Sequence, residues 1–148
     1  MDARSSYREA AAQGAGPVRL VIFLYEQAIE DLRRAVIALE KGSIEERTGR
    51  INHALLVIGQ LQGSLDMERG ADVARNLQRF YTSIRASLIE AQLQQSARIL
   101  EQQIEELVLV REAWLEVELA TSVAPVANST QLPPATSSSE RSSAEWNA

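Results

Sequence analysis

The chain has 148 residues, no cysteine, one histidine, 5% aromatic residues and a formal net charge of −5. That length can bury a real core as one domain, and without cysteine there are no disulfides and no thiolate chemistry. The acidic balance argues against nonspecific nucleic-acid binding, and no apolar run approaches the ~20 residues that span a bilayer. Residues 1–16 are small and polar and lack the apolar centre of a signal peptide, so a cytoplasmic protein is expected. Within them Arg4 to Gln13 either forms a short helix around Tyr7 or stays loose.

A breaker, Gly14-Ala15-Gly16-Pro17, opens the first long helix, which is expected from Pro17 to about Glu40. Val21, Leu24, Tyr25, Ala28, Leu32, Ala35, Val36 and Leu39 form its stripe at three- and four-residue spacing. Ile22, Phe23, Ile29 and Ile37 lie beside that stripe and widen it. Lys41 and Gly42 end the helix with a cation in the last turn and a glycine beyond it. Ser43 and Glu46 then have the spacing of a capping box. They open a second helix that runs to about Leu65 on Ile51, Leu55, Ile58, Leu61 and Leu65. Its glycines at 49, 59 and 63 either sit on the surface or admit a neighbouring backbone.

After the break at Asp66 to Gly70, with Asp66 or Asp72 as the cap, comes the most regular helix. Val73, Leu77, Phe80, Tyr81, Ile84, Leu88 and Ala91 lie on one face of it, and arginines lie on the other. Gln92 to Ser96 is the joint to a fourth helix, from about Ala97 to Glu118, with Ser96 as its cap. That helix buries Leu100, Ile104, Leu107, Val108, Trp114 and Leu115 and carries six glutamates. Residues 120–148 are rich in Ser, Thr, Ala and Pro and too poor in apolar residues to fold; they include an isolated Trp146. The expected architecture is all-α: an antiparallel up-down four-helix bundle over residues 17–119, preceded by the short N-terminal segment and followed by a disordered tail.

Catalysis is not expected. His53 is the only histidine and reads as a boundary residue, and paired Glu-x-x-His metal elements are absent. Glu101 and Glu105 share a helix face, but a solvated one, without the burial that raises a general acid's pKa. No phosphate loop, dinucleotide fingerprint or nucleophile elbow appears. Arg75, Arg79 and Arg85 mark a modest basic patch without a nucleic-acid motif. What remains is a protein that works by its surface. The surplus apolar residues suit either a groove for an amphipathic segment or a self-association face.

Five short stretches then fall in a telling order. They are Tyr7-Arg8-Glu9-Ala10; Gly16-Pro17 with the apolar run to Leu24-Tyr25-Glu26; Leu65-Asp66 and Gly70 ahead of Ala74-x-Asn76-Leu77-x-x-Phe80-Tyr81; Leu88-Ile89-Glu90-Ala91-Gln92; and Leu107-x-x-x-Arg111-Glu112-Ala113-Trp114. Together they resemble the flagellin-specific export chaperone family, FliS, from about Tyr7 to Glu118. The chain departs from the family's pattern at Ala71, where a second glycine is usual, at Ser83 (usually tyrosine) and at Gln92 (usually asparagine). The resemblance implies a cytoplasmic chaperone without cofactor or metal. It would bind the disordered C-terminal segment of flagellin, prevent premature polymerisation, and deliver it to the gate of the flagellar type III export apparatus. The candidate binding residues are then Tyr7, Ile22, Phe23 and Ile29; Leu55 and Ile58; Leu77 and Tyr81; and Leu107, Val110 and Trp114. Each of them also fits a plain core role. The alternative is a structural or adaptor bundle that dimerises through its apolar faces and has no export role.

Overall fold

A computed structural model describes the backbone of residues 17–131 and the side chains of residues 17–120. These residues form four helices and no strand: α1 (Pro17–Lys41), α2 (Ile44–Gly63), α3 (Met67–Gln94) and α4 (Ala97–Gln131). The short N-terminal helix, Tyr7, the end of the tail and Trp146 lie outside the described residues. Among the described residues, Pro17 to Trp114 belong to one compact unit, the four-helix bundle. The part of α4 from Leu115 onward belongs to a second unit.

The core of the bundle is aliphatic with two tyrosines. Leu24, Tyr25, Ala28, Ile29 and Leu32 of α1 meet Ile51, Ala54, Val57, Ile58 and Leu61 of α2. Tyr81, Ile84, Leu88 and Ala91 of α3 and Leu100 and Leu107 of α4 close it. Ile22 and Ile29, beside the main stripe in sequence, are buried as well, so α1 is covered over a wide arc. Ile37 stays exposed, and so does Val73 at the start of the α3 stripe, at 65%.

The connections follow local chemistry. Gly42 takes φ 78°, which costs glycine nothing. It lets Ser43 donate its N–H to the Ala38 carbonyl (2.8 Å) and Gly42 donate to Leu39 (3.1 Å), the two bonds of a Schellman ending. The expected capping box does not form, because the Ser43 side chain makes no capping bond. Its N–H, which Glu46 would have to accept, is already committed to Ala38. Gly63 ends α2 two residues before the expected Leu65.

Asp66 caps α3, and its carboxylate accepts from the N–H groups of Glu68 (3.2 Å) and Arg69 (3.0 Å). One turn later Ala71 stands at φ 47°, ψ −121°, outside the helical region, and breaks the path before the long helix. Gly70 is tight: a Cβ there would lie 2.6 Å from the Ala74 Cβ. Ala71 holds a backbone conformation suited to glycine. Ala71→Gly is therefore expected to raise stability by roughly 0.5–1 kcal/mol in urea unfolding, although glycine enlarges the unfolded ensemble. A lower midpoint would show that Ala71 is not strained.

At the next joint Gln95 takes the left-handed conformation (φ 52°), and Ser96 caps α4 by accepting from the Ile99 N–H at 3.1 Å. α4 continues past the expected end at Glu118 to Gln131, through Pro125. Proline removes one helical N–H bond without forbidding a helix, and Ala120, Ala124 and Ala127 favour continuation.

Short connections make neighbouring helices antiparallel. Arg47 and Thr48 at the start of α2 bond Gln92 at the end of α3 (3.3 and 2.7 Å), while Gln62 near the end of α2 bonds Thr82 (3.2 Å). Gly59 lies in this seam, where a Cβ would sit 3.0 Å from an Arg85 guanidinium nitrogen. Gly49 and Gly63 face open space.

Candidate protein-binding surface

Three helices meet at a buried aromatic group. The Tyr25 and Tyr81 hydroxyls are 2.8 Å apart, with ring centroids separated by 6.2 Å. The Trp114 indole N–H donates to the Tyr25 hydroxyl, and Phe80 packs beside Tyr81 at 5.7 Å. Burial pushes both tyrosine pKa values up, the larger effect being loss of solvent around the phenolate. A buried aromatic O–H or N–H requires a partner, and these three groups supply one another. The tyrosine of the first apolar run, the Phe-Tyr pair of the third helix and the closing tryptophan thus converge on one hydrogen-bonded chain. They position helices.

The eleven sequence candidates divide by burial. Ile22, Ile29, Ile58, Tyr81 and Leu107 are interior in this structure. Leu55, Leu77, Val110 and Trp114 are half-buried and lean on the core. Phe23 is half-buried on α1. Tyr7 lies outside the described residues. The half-buried group can form the floor of a binding surface, while the interior five support it from below.

The more accessible apolar groups were not among those candidates. Ile44 is 64% exposed, Ile89 50% and Leu93 78%. Ile44 lies one turn before Thr48, and Leu93 adjoins Gln92, the residue that bonds Thr48. Ile44, Ile89 and Leu93 therefore flank one end of the α2–α3 seam, with Leu55 farther along it. Periodicity could have found Ile89 and Leu93, since they fall four apart and off the core stripe.

A second feature is a buried carboxylate. Asp31 of α1 is nearly inaccessible and reaches Arg50 (3.4 Å) and His53 Nδ1 (2.5 Å) on α2. An ionised carboxylate only accepts, so Nδ1 of His53 carries the proton that it donates to Asp31. His53 thus has a structural partner at the α1–α2 boundary. Among the described residues no three of His, Asp or Glu stand together as a metal site would need.

The family model described as "Flagellar protein FliS" matches residues 1–121. The chain belongs to the FliS family. Among FliS relatives, a flagellar secretion chaperone FliSB of Pseudomonas aeruginosa is 35% identical over 106 residues, covering 72% of this chain and 84% of that protein. The flagellar secretion chaperones FliS of Salmonella typhimurium and Vibrio cholerae are each 30% identical. These matches cover 74% and 70% of this chain, and 82% and 76% of the relatives. The FliS match spans α1 to α3 and the part of α4 that carries Arg111 and Trp114.

Proposed function

We propose that this chain is a cytoplasmic export chaperone that binds the C-terminal segment of flagellin, keeps it from polymerising and delivers it to the flagellar type III apparatus. The observation that carries the reading is the apolar end of the α2–α3 seam, where Ile44, Ile89 and Leu93 are exposed on a bundle whose core is already filled. Family membership supplies the partner class, since relatives are named flagellar secretion chaperones. Among the described residues no helix is long and apolar enough to cross a membrane.

A terminal segment that is helical only inside a filament exposes an apolar stripe when alone. An exposed apolar seam on a bundle can cover that stripe one copy at a time. Ordering the segment consumes much of the contact energy, so a wide contact can still release its cargo. The export gate then removes the cargo by competition, with no nucleotide required.

Leu93→Asp tests the seam. Leu93 projects into solvent, so helix content is expected to be unchanged. Affinity for the flagellin segment is expected to fall about tenfold, since a buried leucine contact is replaced by a desolvated charge. Unchanged affinity with an intact bundle would remove the seam from the binding surface.

A further inference from the structure

Two charged side chains are buried among the described residues, Asp31 and Arg47, and the chain treats them differently. Asp31 has two cationic partners, Arg50 and His53. Arg47, only 6% exposed, has no ion pair among the described residues. Its Nε donates to Gln92 Oε1 at 3.3 Å, a long bond to a neutral amide. The acidic residues closest along the chain to Arg47 and Gln92 are Glu45, Glu46 and Glu90. All three are exposed, and Glu90 bonds Gln94.

A guanidinium stays charged in proteins, and a buried ion without a counter-charge is costly. The fold compensates little of that cost. The carbonyl end of α3, where Gln92 stands, offers about half an elementary charge of the right sign. Arg47 also lies in the first turn of α2, whose positive end opposes it by a similar amount. The position is fixed all the same. Gln92 donates its amide to Thr48 Oγ1 at 2.7 Å, so its oxygen is held toward Arg47. Ile44 precedes Arg47 by three residues, and Gln92 falls between Ile89 and Leu93. The unpaired cation therefore sits in the end of the α2–α3 seam that the three exposed apolar residues flank.

We infer that Arg47 is the specificity-determining residue of this surface and receives a side-chain carboxylate of the bound segment. The partner it fits is an amphipathic helix with an Asp or Glu flanked by apolar residues at three- or four-residue spacing. This rests on the chaperone reading above and adds a requirement to it: the cargo presents an acid as well as an apolar stripe. Apolar contacts on Ile44, Ile89 and Leu93 exclude water from the seam, where a charge-assisted hydrogen bond is strongest. The guanidinium is already desolvated and positioned before the cargo arrives, so binding does not bear that cost again. A segment with the same stripe and an amide in place of the acid leaves Arg47 unpaired and is rejected.

Calorimetric titration of the full chain and its Arg47 variants with a peptide of the flagellin C-terminal segment tests this, with urea unfolding of each variant. Arg47→Met keeps the apolar stem and removes the charge. Its affinity is expected to fall at least about tenfold. Its urea midpoint is expected to hold or rise, because folding loses no ion pair. Arg47→Lys keeps the charge without the planar fork and is expected to bind with intermediate affinity; it replaces Arg47→Met in the comparison should that variant fail to fold. Among peptides with one Asp or Glu at a time changed to the amide, one is expected to bind wild type more weakly and Arg47→Met no more weakly, the mark of a direct pair. Equal affinity of wild type and Arg47→Met overturns the inference and leaves the chaperone reading standing, and a lowered urea midpoint beside that equal affinity makes Arg47 a structural cation. A peptide series in which no side-chain acid couples to Arg47 overturns it too, as does coupling that disappears only when the peptide's terminal carboxylate is amidated. Failure of wild type to bind the peptide at all overturns the chaperone reading and this inference with it.

Discussion

Replacing Tyr81 with alanine is expected to cost about 3–5 kcal/mol of stability, the range for truncating a large aromatic in a packed core. Tyr81 is almost completely buried between Tyr25 and Phe80. The loss has two parts. The ring leaves a cavity at the meeting point of the helices, and the Tyr25 hydroxyl loses one of its two partners, keeping only Trp114. Tyr81→Phe isolates the second part: it keeps the ring and is expected to cost about 1 kcal/mol, one buried hydrogen bond. Urea unfolding of both variants separates cavity from hydrogen bond. Equal costs would mean that packing around Tyr81 contributes nothing.

The same pair sets an alkaline limit. Burial holds both hydroxyls above the ordinary tyrosine range. The unfolded chain therefore loses those protons first, at about pH 10. Their contribution to stability is complete below that pH and declines as pH rises beyond it. Tyr81→Phe is expected to flatten this decline.

Asp31→Ala is expected to destabilise by about 2–3 kcal/mol. Removing one member of a buried ionic cluster leaves the others desolvated without a counter-charge. The cost falls below the full range for buried pairs because the Arg50 side chain is 36% accessible and can turn to water. His53 cannot turn as freely: its Nε2 is buried without a partner, so Asp31 is its one described hydrogen bond. Asp31→Asn keeps an acceptor for the His53 Nδ1 proton and is expected to lose about 1 kcal/mol. Unfolding midpoints at neutral pH measure both. An Asp31→Ala protein as stable as wild type would show that the cluster is dispensable.

The helices were legible because their apolar residues recur at three and four along long stretches free of glycine and proline. The breaks were harder where one residue serves two roles. Ser43 ends α1 and begins α2, and its N–H goes to the first duty, which removes the capping box that its spacing with Glu46 suggested. Ala71 breaks α3 one residue past Gly70, since the turn demands positive φ where the chain supplies alanine. Pro125 lies inside α4 and does not end it.

The site was less legible. Core and groove residues share one period, so spacing alone could not separate interior Ile58 or Leu107 from half-buried Val110. Asp31 left a readable trace: it falls between Ala28 and Ala35 on the apolar face of α1, where a carboxylate needs a buried partner, and α2 offers Arg50 and the only histidine. The exposed Ile89 and Leu93 were passed over because they lie off the stripe that builds the bundle. Departures from the core stripe are where a surface for another chain is to be sought.

Calorimetric titration of the full chain with the C-terminal segment of flagellin from the same organism, followed by circular dichroism of the mixture, tests the chaperone reading most directly. One-to-one binding with more helix than the sum of the separate components is the predicted result, since the segment folds as it lies on the bundle. Absence of heat and of added helix, with the bundle intact, would contradict it.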